Sequence, residues 1–173
     1  MHLKENYRYC PHCGVTWENG ENFMQNGNQI CCAACDFILY CDPKVAVSAV
    51  VEIDGKIIMI RRKLVTDAGE WAIPGGFADA GEKLEAAAVR EFKEEALVNI
   101  TIEKLIGVYS YVNNPVILIV YQGSTDDLVP GCGDEATEVA LFDYEHIPWG
   151  NMAFEANRDA LRDYYRQKDR DNT

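Results

Sequence analysis

The segment that decides both fold and chemistry reads Gly76-Phe-Ala-Asp-Ala-Gly-Glu82-Lys-Leu-Glu-Ala-Ala-Ala-Val-Arg90-Glu91-Phe-Lys-Glu94-Glu95. Residues 83–96 are rich in Ala, Leu, Glu and Lys, and this composition predicts a helix. Because a helix turns about 100° per residue, Glu91, Glu94 and Glu95 stand at positions i, i+3 and i+4 and share one face. The same stripe continues towards the helix N-terminus in apolar residues, Leu84, Ala87 and Ala88. The acidic face is therefore expected to pack inward.

Three carboxylates within one helical turn repel one another unless a cation joins them. Mg²⁺ and Mn²⁺ are hard cations that prefer oxygen ligands, and carboxylates on one rigid face meet that preference. The alternative is a solvated acidic helix, in which the acids would face outward and pair with lysines at helical spacing. The pattern favours a divalent-cation site, with the solvated helix left open.

The cysteines indicate a second metal site. Cys10-Pro-His-Cys13 and Cys32-Ala-Ala-Cys35 are two C-x2-C knuckles, and together they supply the four ligands of a structural zinc ion. Free thiols or a redox pair are the alternative. The other cysteines fall outside this spacing, and His12 is expected to be exposed on the first turn; those cysteines are Cys31, Cys41 and Cys132.

The rest of the chain alternates strands and helices. Asp54-Gly55 is a hairpin turn joining strands 45–53 and 56–62. Further strands are expected at 102–112, 115–122 and 138–142, and a closing helix at 157–166. Strands on both sides of the long helix predict a mixed α/β fold rather than a parallel doubly wound one. The change of pattern at Asp42-Pro43 predicts two domains, 1–42 and 43–173.

Composition limits the partners. The chain has 173 residues, 28 acidic and 16 basic side chains, and a net charge of −12. This balance predicts no nucleic-acid and no membrane partner, although bound metal cations would still allow a phosphate substrate. The N-terminal residues lack the apolar run of a signal peptide, and no apolar run is long enough for a membrane span, so a cytoplasmic location is expected.

These residues match a family pattern, the Nudix box G-x5-E-x7-R-E-U-x-E-E, in which U is a bulky apolar residue. The positions that fill it in register are Gly76, Glu82, Arg90, Glu91, Phe92, Glu94 and Glu95. With the cysteine knuckles and the segment up to Ile147-Pro148, the chain resembles the zinc-ribbon Nudix hydrolases, which include NADH, ADP-ribose and FAD pyrophosphatases. The resemblance implies a Nudix α/β/α sandwich with a small N-terminal zinc ribbon, and a homodimer.

The resemblance also implies roles for single residues. Glu91, Glu94 and Glu95 would ligate Mg²⁺ or Mn²⁺ together with the backbone carbonyl of Gly75. Arg90 and Glu82 would fix the loop to the helix and orient the ligands. A loop carboxylate would complete the site or act as base; Glu135 matches that position best, and Glu138 is the alternative.

Two departures from the pattern matter. Leu97 occupies the place of the glycine that usually ends the box, where a left-handed turn is unfavourable for a residue with a β-carbon. We therefore expect the helix to run on slightly and to turn near Asn99. The S-Q-P-W signature of NADH pyrophosphatases is absent, which makes NADH a weaker substrate expectation than ADP-ribose or FAD.

The expected activity is in-line attack of water on the pyrophosphate bond of a nucleoside diphosphate linked to another group, releasing AMP. Arg61 and Arg62 could hold phosphate or pair with surface acids. Aromatic residues could stack on a base or belong to the core or a dimer interface; these are Phe77, Tyr109 and Tyr111. A hydrolase of oxidised or non-standard nucleoside triphosphates is the alternative enzyme, and a non-catalytic nucleotide-binding regulator is the alternative from another class.

Overall fold

The computed structural model describes residues 7–17, 21–63 and 69–171. The chain divides into two compact units, Met1–Pro43 and Lys44–Thr173. Within the described residues no helix is long and apolar enough to cross a membrane.

The smaller unit is a three-stranded antiparallel sheet of β1 (Phe23–Asn26), β2 (Gln29–Cys32) and β3 (Ile38–Tyr40). Gly27, at φ 59°, makes the turn between the first two strands, a conformation that glycine adopts at low cost. The core of this unit is small and consists of Trp17, Ile30, Cys10 and Cys32 with partly buried neighbours.

The larger unit contains one mixed sheet and two α-helices among the residues described. Its elements are β4 (Lys44–Ile53), β5 (Lys56–Arg62), β6 (Trp71–Ala72), β7 (Gly75–Phe77), α1 (Leu84–Ala96), β8 (Thr101–Tyr109), β9 (Val116–Ser124), β10 (Ala136–Phe142) and α2 (Glu155–Asp171). The strand order is β10-β5-β4-β9-β8, with β6 beside β5 and β7 beside β4. Because β4 and β9 run parallel while the other pairs are antiparallel, the predicted mixed α/β fold is confirmed.

The sheet is covered by a helix on each face. Ala49 and Val51 of β4 belong to the same core cluster as Phe92 of α1, whereas Val50 between them joins Leu161 of α2. Side chains of a strand alternate between the two faces, so a strand buried on both sides must be apolar throughout. This arrangement explains why β4 is apolar from Val45 to Val51 apart from Ser48, and it gives the α/β/α sandwich.

Two local predictions can be compared with the elements. Asp54 and Gly55 both have positive φ, 51° and 77°, as a two-residue hairpin turn requires, and they join β4 to β5 as predicted. The closing helix α2 is longer than predicted, since it begins at Glu155 and ends at Asp171.

Candidate active site

The short strand β7 places two glycines beside helix α1. Gly75 pairs with Ser48 of β4 and Gly76 with Val47. A β-carbon on Gly75 would collide with the carbonyl oxygen of Val47, and one on Gly76 would collide with the carboxylate of Glu91. Only glycine allows both the strand pairing and the close approach of the helix side chain.

Two of the glutamates of α1 lie against this strand. The backbone N–H of Gly75 donates a hydrogen bond to Oε2 of Glu95 at 2.7 Å, and Glu95 is only 4% exposed. Glu91 contacts Gly76 and is partly buried, while the side chain of Glu94 is 59% exposed. The face that carries these acids therefore packs against β7 at Glu91 and Glu95 and opens to solvent at Glu94.

Arg90 connects the helix to the loop before it. Its guanidinium forms a two-pronged pair with Glu82, with N···O distances of 3.0 and 2.9 Å, and donates to the carbonyl of Phe77 at 3.2 Å. Nη1 of Arg90 also reaches Glu91 at 2.7 Å and Glu94 at 3.2 Å. The hydrogen bonds from Arg90 lower the pKa of Glu82, which keeps it ionised. One arginine thus holds the loop and gathers two glutamates.

The electrostatics of the site suit a cation. Burial raises the pKa of Glu95 to about 7; the Gly75 N–H and the charge of Arg62 oppose the shift, and the charges of Glu91 and Glu135 add to it. Burial also raises the pKa of Glu91, with Arg90 opposing. Carboxylates crowded in this way are relieved by a hard divalent cation, so the donor set fits Mg²⁺ or Mn²⁺.

The carboxylates of Glu91, Glu94 and Glu95 do not form a compact group of metal ligands in this structure. Among the described residues, the cysteine cluster is the only group of three or more potential ligands whose ligating atoms all lie within 4.8 Å of one another. Arg90 holds the carboxylates of Glu91 and Glu94, whereas the Gly75 N–H holds that of Glu95.

The two candidate loop acids have different surroundings. Glu138 lies in β10 and pairs with Arg61 at 3.1 Å on an exposed surface. Glu135 precedes β10, and its charge raises the pKa of both Glu91 and Glu95. Its carboxylate is thus the one of the two that acts electrostatically on the glutamates of α1.

The predicted path of the chain after α1 is wrong. The helix ends at Ala96, and Leu97 itself adopts the left-handed conformation, with φ 54° and ψ 31°. The expected continuation to Asn99 does not occur, because backbone N–H groups of residues 131 and 133 take the carbonyls of Ala96 and Glu95. These groups are distant in sequence, so a prediction from local propensity could not include them.

A cavity of about 610 Å³ opens beside the glycines of β7. This volume is in the range of small-molecule sites. Its wall contains two buried polar residues that no sequence motif indicates, Ser48 and Asn157. Oδ1 of Asn157 accepts the N–H of Ile73 at 3.3 Å, and Asn157 is 3% exposed. An isolated asparagine early in a helix carries no sequence signal that distinguishes it from a surface residue.

Of the arginines and aromatic residues expected near the site, all except Arg61 line the cavity. Arg61 pairs with Glu138, whereas Arg62 lines the cavity and lies over the ring of Phe154 at 4.9 Å. The hydroxyl groups of Tyr109 and Tyr111 donate to Asp163 and Asp159 of α2, at 3.1 and 2.7 Å. The two tyrosines therefore brace the cavity wall, and Phe77, which is about half exposed, also lines it.

Four of the six cysteines of the small unit, Cys10, Cys13, Cys32 and Cys35, form a compact cluster. The sulfurs of Cys10 and Cys35 are 3.8 Å apart, as are those of Cys13 and Cys32. A tetrahedron with Zn–S bonds of about 2.3 Å has edges of about 3.8 Å, so the cluster is compatible with zinc. Burial raises the pKa of Cys32, but backbone hydrogen bonds from Ala34 and Cys35 outweigh it and bring the value to about 6.

The two knuckles end in the same kind of turn. Gly14 and Asp36, the residues that follow them, both have positive φ, 75° and 56°. Each donates its N–H to the carbonyl of the first cysteine of its knuckle at 2.9 Å, Gly14 to Cys10 and Asp36 to Cys32. His12 is exposed, as expected, and stacks on Phe37.

Comparison with known proteins agrees with this geometry. A NUDIX domain model matches residues 42–164. An ADP-ribose pyrophosphatase of Methanocaldococcus jannaschii is 39% identical over 137 residues, 75% of this chain and 78% of that protein. A mitochondrial ADP-ribose pyrophosphatase of Rattus norvegicus is 38% identical over 125 residues, 62% of this chain but 33% of that protein. The crystal structure of a NUDIX hydrolase from Nitrosomonas europaea has a TM-score of 0.80 and 30% identity, covering 90% of this chain and 88% of that one.

Fold and site together define a hydrolase of phosphoric anhydrides. The family model covers well over half of the chain, and the chain therefore belongs to the NUDIX family and is a pyrophosphohydrolase.

Proposed function

We propose that this enzyme cleaves the pyrophosphate bond of a nucleoside diphosphate linked to another group, with ADP-ribose the first substrate and AMP one product. The observation that carries the proposal is the cavity beside Gly75 and Gly76 of β7. The side chains of Glu91 and Glu95 of α1 lie against the same two glycines. A nucleoside in the cavity would bring its pyrophosphate to these glutamates. Two similar proteins bear the name ADP-ribose pyrophosphatase, which favours this substrate over FAD and NADH.

We assign the catalytic metal, Mg²⁺ or Mn²⁺, to Glu91, Glu94, Glu95, the carbonyl of Gly75 and Glu135. When bound, such an ion neutralises phosphate oxygens and lowers the pKa of the attacking water. Arg90 keeps Glu91 and Glu94 together on one side of the helix.

The remaining steps belong to the side chains around the cavity. Glu135 is exposed; it either completes the ligand set or, when not bound to the ion, accepts the proton of the attacking water as general base. Arg62 presents its positive charge at the cavity wall near Glu95, where it attracts the anionic substrate. Glu82 and Arg90 hold the loop that follows β7, which keeps the two glycines in register with the glutamates.

The proposal extends to the domains and the assembly. Residues 1–42 form a zinc ribbon held by Cys10, Cys13, Cys32 and Cys35, and residues 43–173 form the hydrolase domain. The enzyme is a cytoplasmic homodimer that acts on small nucleotides and has no nucleic-acid or membrane partner; light scattering of the purified protein tests the dimer.

The decisive experiment measures product release by purified protein with Mg²⁺ or Mn²⁺ on ADP-ribose, FAD, NADH and 8-oxo-dGTP. We expect ADP-ribose to give the highest kcat/KM and to yield AMP. Glu94→Gln should lower kcat about 10²–10³-fold with little change in melting temperature, since its side chain is 59% exposed. Glu138→Gln is the matched control and should retain full activity.

Other outcomes point to the alternatives. Preferred turnover of 8-oxo-dGTP would identify a hydrolase of damaged nucleotides. Tight nucleotide binding with no turnover of any of the four compounds would identify a regulator. Wild-type activity of Glu94→Gln would overturn the metal assignment.

A further inference from the structure

The left-handed turn at Leu97 is unusual because a leucine occupies a conformation that favours glycine. Leu97 is 56% exposed, so burial of its side chain in the core does not account for the left-handed conformation. Another interaction of the side chain or of the turn must account for it.

The turn frees two carbonyl groups at the end of α1. In a continued helix, the N–H groups of residues 99 and 100 would bond to the carbonyls of Glu95 and Ala96. Instead the N–H of Asn99 donates to Oδ2 of Asp127 at 2.8 Å. The freed carbonyls accept the N–H groups of Gly131 and Gly133, at 2.8 Å on Ala96 and 3.0 Å on Glu95.

The segment 131–135, here called the docking loop, lies directly on this helix end. A β-carbon on Gly133 would collide with the carbonyl oxygen of Glu94. A β-carbon on Gly131 would lie 2.9 Å from Cδ1 and 3.2 Å from Cβ of Leu97. The Leu97 side chain therefore packs directly against Gly131, the first residue of the docking loop.

The docking loop ends at Glu135. Its backbone carbonyl accepts the N–H of Lys63 at 3.1 Å, so this residue is held between the helix end and the end of β5. Gly133, two residues before Glu135, donates its N–H to the carbonyl of Glu95 and lies against the carbonyl of Glu94, so Glu135 leaves the helix end beside these glutamates. The two hydrogen bonds to the helix and the Leu97 contact therefore fix the backbone of the loop just before Glu135.

We propose that Leu97 is a positioning residue: its left-handed turn and its contact with Gly131 dock the loop 131–135 on the helix end and so set Glu135 over the metal-binding face. The inference rests on the proposed role of Glu135 in catalysis.

Leu97→Gly separates the turn from the side chain, because glycine keeps the left-handed conformation and removes only the contact with Gly131. We expect a melting temperature at or above that of the wild type and a kcat on ADP-ribose lowered about tenfold, with KM within twofold, as a small misplacement of a reacting group can cost up to about 10²-fold. Leu97→Met, which keeps an apolar side chain against Gly131, should restore kcat to within about twofold.

A double-mutant cycle distinguishes positioning from general stability. If Leu97 acts through Glu135, Leu97→Gly lowers kcat no further in a Glu135→Gln background. Equal fold-losses in both backgrounds, or wild-type kcat for Leu97→Gly, would overturn the positioning role while leaving the proposed function intact. Wild-type kcat for Glu135→Gln alone would overturn the role of Glu135 itself and this inference with it.

Discussion

At the scale of single residues, Glu95 is the most constrained of the three glutamates of α1. It is buried, it accepts the Gly75 N–H at 2.7 Å, and the charges of Glu91 and Glu135 act on it. Burial disfavours the ionised carboxylate, and a bound cation restores it. The same residue therefore links the protonation of the site to its metal affinity.

Metal binding should depend on pH through Glu95. Because its pKa is raised to about 7, the carboxyl is mostly protonated below that pH, and a metal ion must displace the proton. We expect the apparent Kd for Mn²⁺ to be about tenfold weaker at pH 6 than at pH 8. Titration of the zinc-loaded protein followed by the electron paramagnetic resonance of free Mn²⁺ measures this ratio.

Two variants locate the effect. Glu138→Gln should preserve the pH dependence, because Glu138 pairs with Arg61 at the surface. Glu95→Gln should bind Mn²⁺ weakly at both pH values. Equal affinity of the wild type at pH 6 and pH 8 would contradict the assignment of Glu95 as a ligand.

At the scale of elements, the two ends of helix α1 differ in how their free backbone groups are hydrogen-bonded. Its C-terminal carbonyls are taken by the docking loop, whereas its N-cap residue, Lys83, makes no side-chain hydrogen bond to the first turn. A lysine there also places a positive charge at the positive end of the helix dipole. The N-terminus is the less satisfied end.

Lys83→Ser should therefore stabilise the protein. Lys83 has the extended backbone of a cap, φ −72° and ψ 137°, so a serine can accept an N–H of the first turn without rearrangement. We expect the free energy of unfolding to rise by about 1 kcal/mol in urea titrations. Lys93→Ser is the contrasting change: Lys93 lies in the last turn, where a positive charge is favourable, and its loss should lower stability. No gain from Lys83→Ser would mean that the cap position is already satisfied by water.

At the scale of the whole molecule, the two units derive their stability from different sources. The larger one has a sheet buried on both faces and extensive apolar clusters on each side. Among its described residues the smaller one has a core of four buried residues, two of them cysteines, and so small a core usually needs additional cross-links. Metal binding by the cysteine cluster would supply that stabilisation.

Elemental analysis should find about one zinc per chain in the purified protein. Cys13→Ser should abolish the zinc, because Cys13 supplies one of the four clustered sulfurs. Cys41→Ser should retain it, since Cys41 belongs to the same unit but lies outside the cluster. Equal loss of zinc in both variants, or a wild type free of zinc, would contradict the assignment.

Much of this protein could be predicted from its sequence because the relevant interactions are local. The helical period puts Glu91, Glu94 and Glu95 on one face, and two cysteines separated by two residues meet in one turn whatever surrounds them. The turn at Asp54-Gly55 depends only on its own two residues. The mixed fold follows from the order of these local elements.

Only the tertiary structure decided features that depend on partners distant in the chain. Leu97 turns left-handed because Gly131 and Gly133 compete for the helix carbonyls, against its own conformational preference. Strand pairing puts Glu138 beside Arg61, whereas Glu135 precedes the strand and its carbonyl accepts the N–H of Lys63. Asn157 joins the cavity because α2 packs next to Ile73. Local sequence determined which side chains could do the chemistry, whereas long-range packing decided which of them meet, since free energies of distant contacts outweigh local propensities of about 1 kcal/mol.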